Sequence, residues 1–141
     1  MSQLNALIPE LACTDFASSM KFYTKVLEFN ILFQRSEEGF AMLERQGAQL
    51  MIDQIGLTRT WQTAVVEQPF GRGINLQMRT TDIDALYNRV QQADAKIFLP
   101  LEEKWYRQDN QLLGNHQFIL QDPDGYLLRF FEDFGTKPAI N

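Results

Sequence analysis

Histidine and cysteine are almost missing from this chain of 141 residues, which has one of each, His116 and Cys13. A lone cysteine can form neither an intrachain disulfide nor a thiolate cluster, and a lone histidine no imidazole cluster. Zinc sites built from clusters of cysteine or histidine are therefore excluded. No apolar run is long enough to span a bilayer. Met1–Leu11 lacks the basic start and long apolar stretch of a secretory signal, so no membrane partner and a cytoplasmic location are expected. Basic residues are outnumbered, 13 Lys and Arg against 18 Asp and Glu, for a formal net charge of −5. That balance argues against nucleic acid as a partner, which would need a basic patch, and is compatible with a cationic ligand.

What is present is a core. Apolar residues make up 45% of the chain and aromatics 12%, enough for one domain or for two small modules sharing a core. The strongest local signal is Asp122-Pro123-Asp124-Gly125, in which proline presets φ, aspartate caps a turn and glycine tolerates positive φ. Apolar runs flank it, Phe118–Leu120 before and Tyr126–Phe131 after, so the stretch predicts a β-hairpin. Arg129 is the exception, a guanidinium in an otherwise apolar strand.

The chain repeats itself. Leu7–Cys13 predicts a strand, and Asp15 caps a helix with Phe16, Met20, Tyr23 and Leu27 at helical spacing. Strands follow at Phe29–Gln34, Phe40–Glu44 and Ala48–Asp53, with Arg45-Gln46-Gly47 read as a turn. Ile74–Thr80, a helix carrying Ile83, Leu86, Tyr87 and Val90, then Ala95–Leu99, Gln117–Gln121 and Tyr126–Glu132 give the same βαβββ order. Thr14-Asp15-Phe16 matches Thr81-Asp82-Ile83, and Phe40…Gly47…Leu50 matches Phe118…Gly125…Leu128. The second shift is larger, which predicts a longer loop between Leu99 and Asn115. The expected organisation is a single domain, 1–141, with module 1 at 1–55, a linker at 56–73 and module 2 at 74–141.

Strand alternation assigns faces. Leu7, Leu11 and Cys13, matched by Ile74, Leu76, Met78 and Thr80, should pack on the helices. The other face carries Ile8, Glu10, Ala12 and Met51, matched by Asn75, Gln77, Arg79 and Arg129, with Phe131 beside them. A half-apolar face with a few convergent polar groups suits a ligand cavity better than a purely solvated surface.

The double βαβββ pattern, the strand-Thr-Asp-helix openings and Gln121–Glu132 (QDPDGYLLRFFE) together resemble the vicinal oxygen chelate superfamily, the group of glyoxalases, bleomycin resistance proteins and dioxygenases. Leu7–Leu11 (LIPEL) and Gly114–Asp122 (GNHQFILQD) are most similar to the bleomycin resistance branch. The resemblance implies an α+β fold of two paired βαβββ modules, a curved, mostly antiparallel sheet with helices outside. It also implies a homodimer with crevices at its interface, with module exchange between subunits as one way to build it. Metal-dependent members place one ligand on the first and last strand of each module. Those positions fall here on Ile8, Met51, Asn75 (or Leu76) and Arg129, none of them a carboxylate or imidazole, so no metal and no cofactor are expected. The function implied is a non-catalytic small-molecule binder, similar to proteins that sequester bleomycin-type glycopeptide antibiotics. The alternative is a metal-dependent glyoxalase-like lyase or extradiol-type dioxygenase.

Ligand contact is expected from Glu10, Met51, Asn75, Gln77, Arg129 and Phe131 on the sheet face, and Arg129 should meet an acidic or carbonyl partner there, with Glu10 the first candidate. Three loop aromatics, Trp61, Trp105 and Tyr106, join them as candidate cavity walls that stack on a flat or cationic ligand. His116 has no obvious partner for base catalysis. Cys13 alternates onto the packed face, and the adjacent Glu102 and Glu103 read as a solvated loop.

Overall fold

The structure, a computed structural model, describes residues 3–140. Two compact units emerge. One comprises Met1–Phe70 with Pro123–Gly125, the other Gly71–Asp122 with Tyr126–Asn141. Among the described residues each holds one α-helix and one four-stranded mixed sheet, so the fold is α+β.

In the first unit β1 (Glu10–Cys13), β2 (Asn30–Arg35), β3 (Phe40–Arg45) and β4 (Ala48–Gln54) lie in the order β1-β4-β3-β2. The second unit repeats that order as β5-β8-β7-β6, from β5 (Asn75–Arg79), β6 (Lys96–Gln108), β7 (Gln111–Gln121) and β8 (Leu127–Pro138). The first and last strands of each unit pair in parallel and the other pairs are antiparallel.

Helix α1 (Phe16–Lys21) continues as a π-helical turn, Phe22–Val26, and α2 spans Ile83–Gln92. Asp15 holds the N-cap position of α1, yet its carboxylate accepts from the Ser18 hydroxyl at 2.7 Å rather than capping the backbone. The first helical N–H is met from the sheet instead. Phe16 N–H donates to Gln54 Oε1 at 2.8 Å, and Ile83 N–H donates to Glu132 Oε1 at 3.1 Å. Gln54 and Glu132 are repeat equivalents, so the same device ties each helix start to the last strand of its unit.

The packed faces hold Leu11, Cys13, Leu50 and Ile52 in one unit and Met78, Leu128 and Phe130 in the other, all buried. Ile83, Leu86 and Val90, one stripe of α2, are buried too. Two expected members of this face do not join it. Leu7 is 84% exposed and Ile74 61%, because β1 begins only at Glu10, after Pro9, and β5 only at Asn75, after the Gly71–Gly73 turn. Arg45 is no turn residue. It ends β3, is 5% exposed, and donates from Nε to the Leu27 carbonyl at 2.8 Å.

The expected long loop between Leu99 and Asn115 is instead strand. β6 runs through Trp105, Tyr106 and Arg107 to Gln108, turns at Asp109 (φ +55°), and β7 returns from Gln111. Pro100 and the charges after it masked this strand in the sequence. Register shifts at Ile97/Leu99 and Leu99/Glu102 absorb the proline.

Candidate functional site

A cleft of about 120 Å³ lies in the first unit, lined by Glu10, Ala12, Asp53, Gln54, Ile55, Arg59, Trp61 and Gln62. Its floor comes from adjacent parallel strands. Glu10 sits beside Met51 and Ala12 beside Asp53, so alternation puts both carboxylates on the unpacked face. Its wall comes from the segment after β4, residues 56–73, which forms neither helix nor strand.

Arg59 crosses the floor. Its Nη1 donates to Glu10 Oε1 at 2.7 Å and Oε2 at 2.9 Å, and its Nε stands 3.2 Å from Asp53 Oδ2. The Asp53 contact is one of charge only, since neither carboxylate oxygen accepts a hydrogen bond although the side chain is 6% exposed. The guanidinium also lies 4.8 Å from the Trp61 ring and 5.5 Å from that of Phe40. Trp61 itself is 81% exposed.

Burial holds the Glu10 carboxyl above the ordinary glutamate range. The neighbouring Asp53 adds to the rise, and Arg59 opposes it. A carboxyl raised in the folded state binds its proton more tightly there than in the unfolded chain. Its contribution to stability is complete below the ordinary glutamate pKa and is lost as pH rises through the raised value. Glu10→Gln removes that contribution. Urea unfolding at a series of pH values should show the variant gaining on the natural protein as pH rises through this window. A stability difference that stays constant across the window would show that Glu10 titrates as an ordinary glutamate.

The second unit carries a different cluster. Arg129 donates from Nη2 to Gln117 Oε1 at 3.1 Å, and its guanidinium lies 5.3 Å from the Tyr106 ring. Gln117, 3% exposed, donates in turn to the Tyr106 hydroxyl at 2.7 Å and to Glu102 Oε1 at 3.0 Å. Gln77 is the register partner of Arg129 on β5. Arg129 therefore meets a carbonyl partner, the Gln117 side chain, while within the first unit Glu10 pairs with Arg59.

The expected site residues thus sort into groups. Glu10 and Trp61 meet at the cleft, with Met51 next to Glu10 in register. Tyr106 and Arg129 belong to the second cluster, Gln77 is exposed beside Arg129 in register, and Phe131 packs under Arg79 at 5.4 Å. Asn75 is exposed at the start of β5. Trp105 joins neither group. It sits farther along the hairpin against Phe134 at 5.0 Å, with Lys137 3.9 Å above its ring. Glu102 and Glu103 are strand residues, and His116 Nε2 has Glu103 Oε1 at 3.6 Å. Asp53, Arg59 and Gln117 were missed. Asp53 was findable two residues beyond Met51 on the same face, whereas Arg59 lies in a segment without periodicity.

The four positions where the sequence resemblance would place metal ligands carry side chains that do not fit a metal. Ile8 and Met51 offer no hard donor, Asn75 at most a neutral amide, and Arg129 a cation. Among the described residues no three His, Cys, Asp or Glu side chains converge as a metal-holding group.

Two βαβββ units of the same strand order, each with one sheet face packed on its helix, define a duplicated α+β protein. The chain belongs to the Glyoxalase/Bleomycin resistance protein/Dioxygenase superfamily, whose family model matches residues 4–130. Among solved structures it is similar to TioX from Micromonospora sp. ML1, at 22% identity and a TM-score of 0.70 over 92% of this chain and 100% of that one. The integron cassette protein VCH_CASS1 from the mobile metagenome of V. cholerae matches at 19% identity and a TM-score of 0.65, over 94% and 98% of the two chains. Both likenesses are of fold. A superfamily member from Vibrio splendidus 12B01 is 37% identical over 89% of this chain and 97% of its own, with a TM-score of 0.41. No curated protein matches the chain. Among the described residues no helix is long and apolar enough to cross a membrane.

Proposed function

We propose that the protein binds a small organic molecule and holds it chemically unchanged, in the manner of the bleomycin resistance proteins its sequence resembles. The observation that carries this reading is the first-unit cleft, where two carboxylates and a guanidinium are fixed on a strand floor beside an exposed indole. Sequestration needs shape, an apolar wall and a few placed polar groups, and Ala12, Ile55 and Trp61 beside the two carboxylates support that reading. The unsuitable side chains at the four metal positions favour holding over lyase or dioxygenase chemistry. A homodimer belongs to the same reading, since Leu7 and Ile74 leave apolar surface for a second copy to cover.

A thermal-shift screen against antibiotics, with metal-free and copper-loaded bleomycin included, tests the binding. A ligand present at a hundred times its dissociation constant should stabilise the native state by about 2.7 kcal/mol. The ligand should be recovered unchanged, and sedimentation at micromolar concentration should show the dimer mass. Stoichiometric metal in the purified protein, with metal-dependent glyoxalase or ring-cleavage turnover, would overturn the reading in favour of the enzyme.

A further inference from the structure

The first-unit cleft contains a cation of its own. Arg59 reaches it from a segment without helix or strand, whereas the carboxylates it meets belong to β1 and β4, paired in parallel along Glu10–Cys13. The guanidinium can therefore leave without breaking a strand ladder. What it would leave behind is a slot of definite chemistry. Glu10 offers two oxygens, both now taken by one nitrogen, Arg59 Nη1. Asp53, which also lines the cleft, offers two more, both buried, that accept no hydrogen bond even with Arg59 in place. A carboxylate with that much unused accepting capacity is poorly served by its present partner, which approaches only with Nε at 3.2 Å. Phe40 and Trp61 lie close to the guanidinium, as ring faces do beside flat delocalised cations.

We propose that Arg59 is a resident stand-in for the ligand, and that the cleft takes a small molecule bearing a planar cation, an amidinium or guanidinium, which displaces Arg59 and donates to both Glu10 and Asp53. The inference rests on the binding function above and adds the ligand's chemical class and the residue that competes with it. One guanidinium beside two carboxylates leaves the slot with an excess negative charge, so a monocation replaces Arg59 like for like. An amidinium presents parallel N–H groups, the arrangement that pairs a carboxylate through two bonds at once, and it can supply what the unbonded Asp53 oxygens lack.

Benzamidine, with its neutral isostere benzamide and the anion benzoate, is the probe set, followed on the full-length protein by the Trp61 indole N–H resonance. Benzamidine should shift that resonance saturably, and the other two should bind roughly tenfold more weakly or not at all. Removing the competitor with Arg59→Ala should tighten benzamidine binding several-fold. Asp53→Asn should weaken it by roughly tenfold, and Glu10→Gln, the second variant should Asp53→Asn fail to fold, should do the same. Weaker or unchanged binding in Arg59→Ala would overturn the inference, because Arg59 would then be part of the floor rather than its occupant. Equal binding of benzamide and benzamidine would overturn the cation class while leaving the cleft a binding site. Binding of none of the three would also overturn it, and the function would then stand or fall on the antibiotic screen.

Discussion

Gly125→Ala should lower the stability of the protein by about 3–4 kcal/mol, with a fall in melting temperature of roughly 10 °C. Gly125 ends the Asp122–Gly125 turn at φ +104°, where an L side chain is strained. A Cβ there would lie 2.5 Å from Pro69 Cβ, 2.6 Å from Pro69 Cα and 3.1 Å from Phe70 N. Two of those atoms are backbone, so the segment must move rather than a side chain rotate. Movement at Phe70 breaks its N–H bond to the Asp124 carbonyl, now 2.8 Å. It also disturbs Asp124 itself, 2% exposed, whose carboxylate accepts from the Thr14 hydroxyl at 2.7 Å and from Gln68 Nε2 at 3.0 Å. Gly47 is the control. It is the repeat equivalent, with φ +88° and nothing within 4 Å of the added atom. Gly47→Ala should cost only the backbone strain, about 1–2 kcal/mol. Equal losses for the two variants in urea unfolding would show that the contact with Pro69 contributes nothing.

Phe118→Ala should cost about 3–5 kcal/mol, the range for emptying a fully packed aromatic site. The ring is 0% exposed, meets Tyr87 of α2 edge-on at 5.0 Å, and stacks on Phe130 of β8 at 5.7 Å. It therefore joins helix to sheet inside the second unit, and none of its neighbours can collapse into the space without leaving another contact. Phe98→Ala on β6, at a ring 60% exposed, should change stability by no more than about 0.5 kcal/mol. The pair is read by the denaturant midpoint at an unchanged slope, which separates lost packing from a change in compactness. Comparable losses at the two positions would mean that Phe118 is not a core residue.

The parts of the fold legible in the sequence were those where periodicity and turn chemistry agree. Leu50 and Ile52, with Leu128 and Phe130, are buried as alternation requires, and Met51 and Arg129 turn to the other face. The stripe of Ile83, Leu86 and Val90 packs at helical spacing. Where a strand carries charge and a proline, as β6 does from Pro100 to Arg107, local pattern reads as loop. Only the pairing of Glu102–Gln108 with Gln111–Gln117 makes it strand, and that pairing is a property of two segments together.

The candidate site divides the same way. By itself the sequence determined the duplication and the strand faces on which Glu10 and Arg129 lie, because these follow from residue identity and a period of two. The tertiary structure alone decided the partners. Arg59 reaches Glu10 across 49 positions, and Gln117 meets Arg129 across 12. A salt bridge made by an aperiodic segment has no trace in the local pattern, since its geometry is set by where the chain returns after leaving β4.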